Sequence, residues 1–194
     1  MGLPYDLRLL PFPPRVHVPD YLQRNLLGTI PLLEDGDARL TESAACCQYL
    51  TTRYGPTPLG VGPEEPDFAT FLNALHYGEA TLTFPLTLVL RYGRFEPAER
   101  QSPQVTEDYA RWFFARLRGL TARLEGREHI CDRFTIADIS VGYALLLATQ
   151  IGLQARFSPP VAAYWARLQA REGFRRADAV QRSAAAQAGI GPSV

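Results

Sequence analysis

The stretch Thr135-Ile-Ala-Asp138, followed by an almost unbroken apolar run to Leu147, constrains this chain more than any other. Thr and Asp three residues apart have the form of a capping box, in which the N-cap hydroxyl and the N3 carboxyl each take a backbone N–H of the opening turn. Asp stands where Glu is more usual. A helix with apolar residues on every side cannot lie on a surface and must be enclosed by other elements. Residues 136–147 therefore predict a buried central helix inside a helical shell. Phe68, Phe71, Leu72 and Leu75 open one long helix of that shell, which Pro85 should bend because proline removes a backbone donor. Val105, Tyr109, Trp112, Phe113, Arg116, Leu117, Leu120 and Leu124 give a second helix with one apolar stripe. Val161, Tyr164, Trp165 and Leu168 mark a third, and residues 177–194, rich in Ala, Gln and Gly, read as a loose tail.

The first part of the chain follows a different grammar. Ten of the sixteen prolines fall before residue 67, and the elements there are short. Tyr5, Leu7 and Leu9 alternate with Asp6 and Arg8, the pattern of a half-buried strand. Residues 20–25 suit a short helix. Residues 31–34 and 38–40 flank Asp35-Gly36, a two-residue hairpin signal. Residues 43–50 run at helical pitch until Gly55-Pro56 stops them. Residues 55–66, Gly-Pro-Thr-Pro-Leu-Gly-Val-Gly-Pro-Glu-Glu-Pro, have the composition of a linker. The division expected is residues 1–54, a linker at 55–66, and an all-helical block at 67–194.

Charge and nucleophile inventory exclude several chemistries. The formal net charge is zero, which argues against a nucleic-acid or anionic-membrane footprint. All 20 basic residues are arginine. Without a lysine there is no Schiff-base amine and no P-loop lysine. Cys46, Cys47 and Cys131 show neither a metal-binding spacing nor a CxxC pair, so no metal and no thioredoxin-type redox chemistry is expected. Three cysteines without a disulfide framework suit reduced thiols in the cytoplasm. No apolar run reaches membrane-spanning length, and residues 1–30 lack a signal-peptide pattern.

Asn25-Leu-Leu-Gly28, Ile30-Pro31, Leu33, Asp35-Gly36, Leu40, Glu42-Ser43 and Phe134-Thr-Ile-Ala-Asp138-Ile139 resemble, in order and separation, the glutathione S-transferases of the bacterial cytosolic type. Leu26 departs from the family pattern, which has proline after the asparagine. The resemblance spans nearly the whole chain. It implies an α/β thioredoxin-like N-terminal domain, an all-α helical bundle after it, glutathione as co-substrate, an electrophilic small molecule as second substrate, a detoxification role and a homodimer. Ile30, held before a Pro31 expected to be cis, resembles the residue that pairs its main chain with the cysteinyl part of glutathione. Glu42 and Ser43 resemble the pair that holds the γ-glutamyl end. Taken alone, a Glu-Ser dipeptide is more often a helix cap than a ligand site. His76, Tyr77 and Glu79 lie on the long helix that in this family borders the second-substrate pocket.

In the same family the thiol activator is a Tyr, Ser or Cys near the first strand and helix. Gly2 and Pro4 form a helix-stop signal, and the strand expected at Tyr5–Leu9 corresponds to the family's second strand. On this reading either Met1 is an internal start and the parent protein carries the first strand and helix, which would make it a transferase, or the chain is real as written and is a poor transferase or none. The alternative is a non-catalytic binding or dimerisation module. Cys46, Cys47 and Cys131 read as small buried hydrophobes, His17 and His129 as surface histidines, and Arg175 and Arg176 as a solvated face. Asp138 reads as a structural cap.

Overall fold

The computed structural model describes residues 1–187 and 189. They form two compact units, residues 58–169 and residues 1–57 together with the chain from residue 170.

The helical unit is built around α7 (Ile136–Gln150). Ile136, Ala137, Val141, Ala144, Leu145 and Ala148 of this helix are all buried. Along it lies one long helical segment made of α4 (Phe68–His76), a π-helical stretch Tyr77–Thr83, α5 (Phe84–Leu90) and a second π stretch Arg91–Phe95. The wide π turns come directly before Pro85, which has no N–H to donate, so the chain meets the proline by widening the helix. Within the first π stretch the Thr83 hydroxyl donates to the Gly78 carbonyl five residues back at 2.9 Å. Gly78 lies so close to α7 that a Cβ there would sit 2.4 Å from Ser140 Oγ and 2.6 Å from the Ser140 carbonyl carbon. That closeness also lets Ser140 Oγ donate to the Leu75 carbonyl at 2.7 Å.

The shell is completed by α6 (Pro103–Arg123), N-capped by the Ser102 hydroxyl, and by α8 (Pro159–Ala170). Leu75, Leu82, Leu86, Phe113, Tyr164 and Trp165 are buried between these helices. Each large apolar side chain so enclosed contributes about 1.5–3 kcal/mol.

Residues 58–66 are fastened to this unit. Arg133 donates from Nε to the Pro58 carbonyl at 2.9 Å and from Nη2 to the Gly60 carbonyl at 2.7 Å. It also grips both oxygens of Glu65, at 2.7 and 3.0 Å. The N–H of Ile136, an orphan donor at the start of α7, bonds to the Leu59 carbonyl at 2.9 Å. The Arg133 bonds, and then the Gly62 N–H, hold the Glu65 carboxyl at about 2, well below its ordinary 4.5. A depressed carboxyl stabilises the fold above its unfolded value and loses that contribution as pH falls toward the folded one. Hydrogen exchange at residues 58–66 should therefore accelerate as pH falls from about 4.5 to 2, after correction for intrinsic rates. Protection that stays flat across that window would show that Glu65 does not hold the strap.

In the other unit, α1 (Pro14–His17) and α2 (Tyr21–Arg24) precede a hairpin of β1 (Leu33–Asp35) and β2 (Ala38–Leu40). Leu33 pairs with Leu40 and Asp35 with Ala38, so the two-residue turn is Gly36-Asp37, one residue later than the Asp35-Gly36 expected. Gly36, at φ 58°, takes the first turn position, where a positive φ is needed. Helix α3 (Ser43–Arg53) follows, and the hydroxyls of Tyr49 and Tyr54 donate to Asp35 at 2.9 and 2.5 Å, tying this helix to the hairpin. Those hydroxyls, Tyr54 first, hold the Asp35 carboxyl below the usual carboxylate range.

Two expectations are corrected here. Tyr5–Leu9 is not a strand: residues 1–11 have no helix, strand or turn, and Tyr5 and Leu7 are exposed. Alternation is a necessary condition for a strand, but a strand also needs a neighbour to take its N–H and C=O groups. Residues 177–187 are not a loose tail but part of α9 (Glu172–Gln187). Alanine is the strongest helix former, and Glu172–Arg176 and Asp178–Arg182 add ion pairs one turn apart. The rest of the expected tail lies outside the described residues, apart from Gly189.

Candidate functional site

The hairpin register places the two halves of the expected site together. Leu33 opens β1 and is paired with Leu40, which closes β2. Ile30-Pro31 lies just before the first and Glu42-Ser43 just after the second, so both pairs leave the same open end of the hairpin.

The Ile30 side leads out of a tightly organised loop. Asn25 is buried; its Nδ2 donates to the Thr29 carbonyl at 2.8 Å, and its Oδ1 accepts from the Leu27 N–H at 3.0 Å. The buried Tyr21 hydroxyl donates to the same Thr29 carbonyl at 2.7 Å. Gly28, at φ 64°, closes the loop where a side chain would meet Arg15 Cβ at 2.7 Å. Leu26, where the resembling family has proline, points outward and is almost wholly exposed. The Ile30–Pro31 bond is cis, as expected. Ile30 is half exposed, and its own N–H and C=O take no hydrogen bond among the described residues.

On the other side, Glu42 is the N-cap residue of α3 by position, with extended backbone angles and an exposed side chain that makes no capping bond. Its carbonyl accepts from the Cys46 N–H at 2.9 Å. Ser43 is the first helical residue and is half buried. The N–H groups of Ala44 and Ala45 have no partner among the described residues. They are the open donors of a helix start, where the helix dipole favours an anion.

His76, Tyr77 and Glu79 belong to the helical unit and do not converge. His76 is exposed at the end of α4. Tyr77 turns toward α6, where its hydroxyl donates to the Arg116 carbonyl at 2.7 Å, and burial pushes its pKa up to about 12. It walls a groove of about 470 Å³ with Thr70, Asn73, Gly119, Leu120 and Arg123. Glu79 faces α7, where its charge, after burial, raises the Tyr143 hydroxyl.

The surroundings of the three cysteines raise the pKa of their thiols rather than activate them, Cys46 and Cys131 being buried and Cys47 partly so. Burial pushes Cys46 up, and pushes Cys47 and Cys131 up to about 11, with Cys46 adding to the first and Asp67 and Asp138 to the second. Such thiols are almost wholly protonated at neutral pH. Among the described residues no group of three or more His, Cys, Asp or Glu is placed to hold a metal, and no helix is long and apolar enough to cross a membrane. Spacing alone did not reveal the part played by Asn25 and Tyr21. The signal was an amide side chain three residues before a glycine that opens onto Ile30-Pro31.

A loop held by a buried asparagine, a short hairpin, an uncapped helix start and a separate bundle around a buried, boxed helix define a two-unit fold in which a thioredoxin-like domain precedes a helical one. Residues 1–58 match the family of glutathione S-transferase N-terminal domains. A probable glutathione S-transferase of Oryza sativa subsp. japonica is 29% identical over 182 residues, covering 90% of this chain and 84% of that one. Glutathione S-transferase 4 of Zea mays is 27% identical over 162 residues, covering 79% and 70%. The Ure2p5 protein of Phanerochaete chrysosporium, cocrystallized with 1-(S-glutathionyl)-2,4-dinitrobenzene, shares the fold with a TM-score of 0.77 at 22% identity, over 87% of this chain and 81% of that one. The chain is thus similar to glutathione S-transferases, in sequence over its first 58 residues and over most of its length in two curated relatives, and in fold throughout that range.

Proposed function

We propose that the chain binds glutathione at the open end of its hairpin and serves a cytoplasmic, homodimeric detoxification enzyme that transfers glutathione to an electrophilic small molecule, the thiol activator not being among the residues assigned to the site. Residues 1–54 form the thioredoxin-like domain that carries the glutathione site, 55–66 a linker, and residues 67–194 the all-helical domain. The observation that carries this reading is the set of unused groups at that end: the Ile30 main chain, the Ala44 and Ala45 N–H groups, and a Glu42 carboxyl that caps nothing.

These groups match glutathione end to end. The γ-glutamyl carboxylate sits on the start of α3 beside Ser43, its ammonium group meets Glu42, and the cysteinyl main chain pairs with Ile30 ahead of Pro31. Transfer then needs the thiolate, because a free thiol with a pKa near 8.5 is mostly protonated at neutral pH. The thiolate sulfur bonds to the electrophilic carbon and the leaving group departs with the bonding pair. A glutathione conjugate in the crystal of the Ure2p5 relative supports this class of chemistry. His76, Tyr77 and Glu79 are candidates for the second-substrate side; their divergence means that at most part of this set meets one ligand.

Calorimetric titration with glutathione tests the site, alongside turnover of a chromogenic aryl halide. Glu42→Gln and Ser43→Ala should each weaken glutathione binding about tenfold, the loss of one charge-assisted contact of about 1.4 kcal/mol. Because the Glu42 side chain caps nothing, Glu42→Gln should leave the urea midpoint in place. Unchanged affinity in both variants would remove the γ-glutamyl subsite from this end of the hairpin.

A further inference from the structure

The loop that leads into Ile30 spends its burial on polar groups. Of the described residues 15–30, Tyr21, Asn25 and Gly28 alone are buried, while Leu22, Leu26 and Leu27 lie exposed. A loop built only for stability would do the reverse. Apolar burial is the main favourable term in folding, and a buried polar group costs free energy until it is hydrogen-bonded.

Both polar side chains are aimed at one atom. The single turn of α2 sets Tyr21 and Asn25 four residues apart on one face, with the Asn25 N–H on the Tyr21 carbonyl at 2.9 Å. Tyr21 Oη and Asn25 Nδ2 then meet at the Thr29 carbonyl, at 2.7 and 2.8 Å, so both of its lone pairs are engaged. Nδ2 also reaches the Thr29 hydroxyl at 3.4 Å. The asparagine is itself held: its Oδ1 accepts from the Leu27 N–H at 3.0 Å and its carbonyl from the Gly28 N–H at 2.9 Å.

The Thr29 carbonyl is one end of the Thr29–Ile30 peptide, and the Ile30 N–H is the other. A peptide unit is planar, with N–H and C=O pointing opposite ways, so two donors that fix the oxygen also fix the direction of the N–H. The same two donors polarise the unit and strengthen the N–H as a donor. We propose that Tyr21 and Asn25 are positioning residues for glutathione, holding the Thr29–Ile30 peptide so that its N–H meets the cysteinyl carbonyl of the tripeptide. The inference rests on the glutathione reading of this end of the hairpin and adds two residues that act through Ile30.

Amide NMR spectra of the isotope-labelled full chain, titrated with glutathione, test it. In the original chain the Ile30 and Ala44 amides should both shift as the site fills. Tyr21→Phe keeps the ring and removes one donor. It should move the Ile30 amide of the free chain upfield and raise the glutathione dissociation constant about three- to tenfold. The glutathione-induced shift of Ile30 should shrink in this variant, and that of Ala44 should stay. Asn25→Asp keeps an acceptor for the Leu27 N–H but turns the donor facing Thr29 into a second acceptor, so its loss should be larger, about ten- to thirtyfold. Glutathione that moves neither amide in the original chain would overturn the glutathione reading and this inference with it. Glutathione that binds the original chain and both variants equally, with the same Ile30 shift, would overturn the positioning role alone. A weakened affinity that shrinks the Ile30 and Ala44 shifts together would also overturn it, because Tyr21 and Asn25 would then serve only the fold.

Discussion

Asp138→Ala should destabilise the helical unit by about 3–5 kcal/mol, because it removes the acceptor for four buried donors at once, the Thr135 hydroxyl at 3.4 Å among them. Asp138 is fully buried. One carboxyl oxygen takes the Thr135 N–H at 2.8 Å, closing the capping box of α7. The other takes the Ile130 N–H at 3.1 Å and the Tyr164 hydroxyl at 2.8 Å. This one side chain therefore joins the start of the central helix to the loop before it and to α8. Loss of a cap alone costs about 0.5–2 kcal/mol, so the remainder is the cost of stranding Ile130 N–H and Tyr164 Oη away from water. Trp112 and Trp165 both lie in the helical unit, so tryptophan fluorescence in urea reads this unit. Tyr164→Phe removes one of the four donors and should cost about 1–2 kcal/mol. A loss from Asp138→Ala no larger than that of Tyr164→Phe would reduce Asp138 to a simple partner of Tyr164.

Gly78→Ala should cost about 2–3 kcal/mol although alanine is the better helix former. Propensity favours the substitution by about 1 kcal/mol. Against it stands the approach of α7: the new methyl would lie 2.6 Å from the Ser140 carbonyl carbon and 2.7 Å from the Val141 nitrogen. Those are backbone atoms, which no rotamer change can move aside, so the two helices must separate and the Ser140–Leu75 bond goes with them. Gly119→Ala on α6 is the matched control. A Cβ there meets only Tyr77 Oη, at 3.9 Å, so the same substitution should be neutral or stabilise by up to about 1 kcal/mol. Equal shifts in the two variants would mean that crossing distance does not decide the outcome.

What the sequence shows well is what depends on neighbours in the chain. The box Thr135–Asp138 and the apolar run behind it describe α7 correctly because caps and helical periodicity are local. The pairing of Asp138 with Tyr164, 26 residues away, has no local signature. The hairpin was legible, but its turn lies one residue later, because register is set by Leu33 meeting Leu40 and not by the Asp-Gly pair alone. Tyr5–Leu9 has the alternation of a strand and no partner within the described residues. Helix α9 hid in an Ala- and Gln-rich stretch whose low hydrophobicity resembled a tail. At the candidate site, Ile30, Pro31, Glu42 and Ser43 were found by family resemblance. Asn25 was part of the resembling motif, but the way it and Tyr21 hold the loop, through the Thr29 carbonyl, is visible only in three dimensions.

The grip of Arg133 on residues 58–65 bears on where this protein can be cut. By composition the Pro- and Gly-rich stretch is the natural place to sever the two units, at any of its peptide bonds. Its carbonyls at Pro58, Leu59 and Gly60, however, are the acceptors for Arg133 and for the first N–H of α7. A helical fragment starting at Asp67 would expose a guanidinium and an orphan helix donor together. One starting at Pro58 would keep every one of those partners. The stretch at the first crossing from one unit to the other is, in its bonding, the outermost turn of the second, and a protease or a gene fusion that respects the fold should break the chain ahead of it.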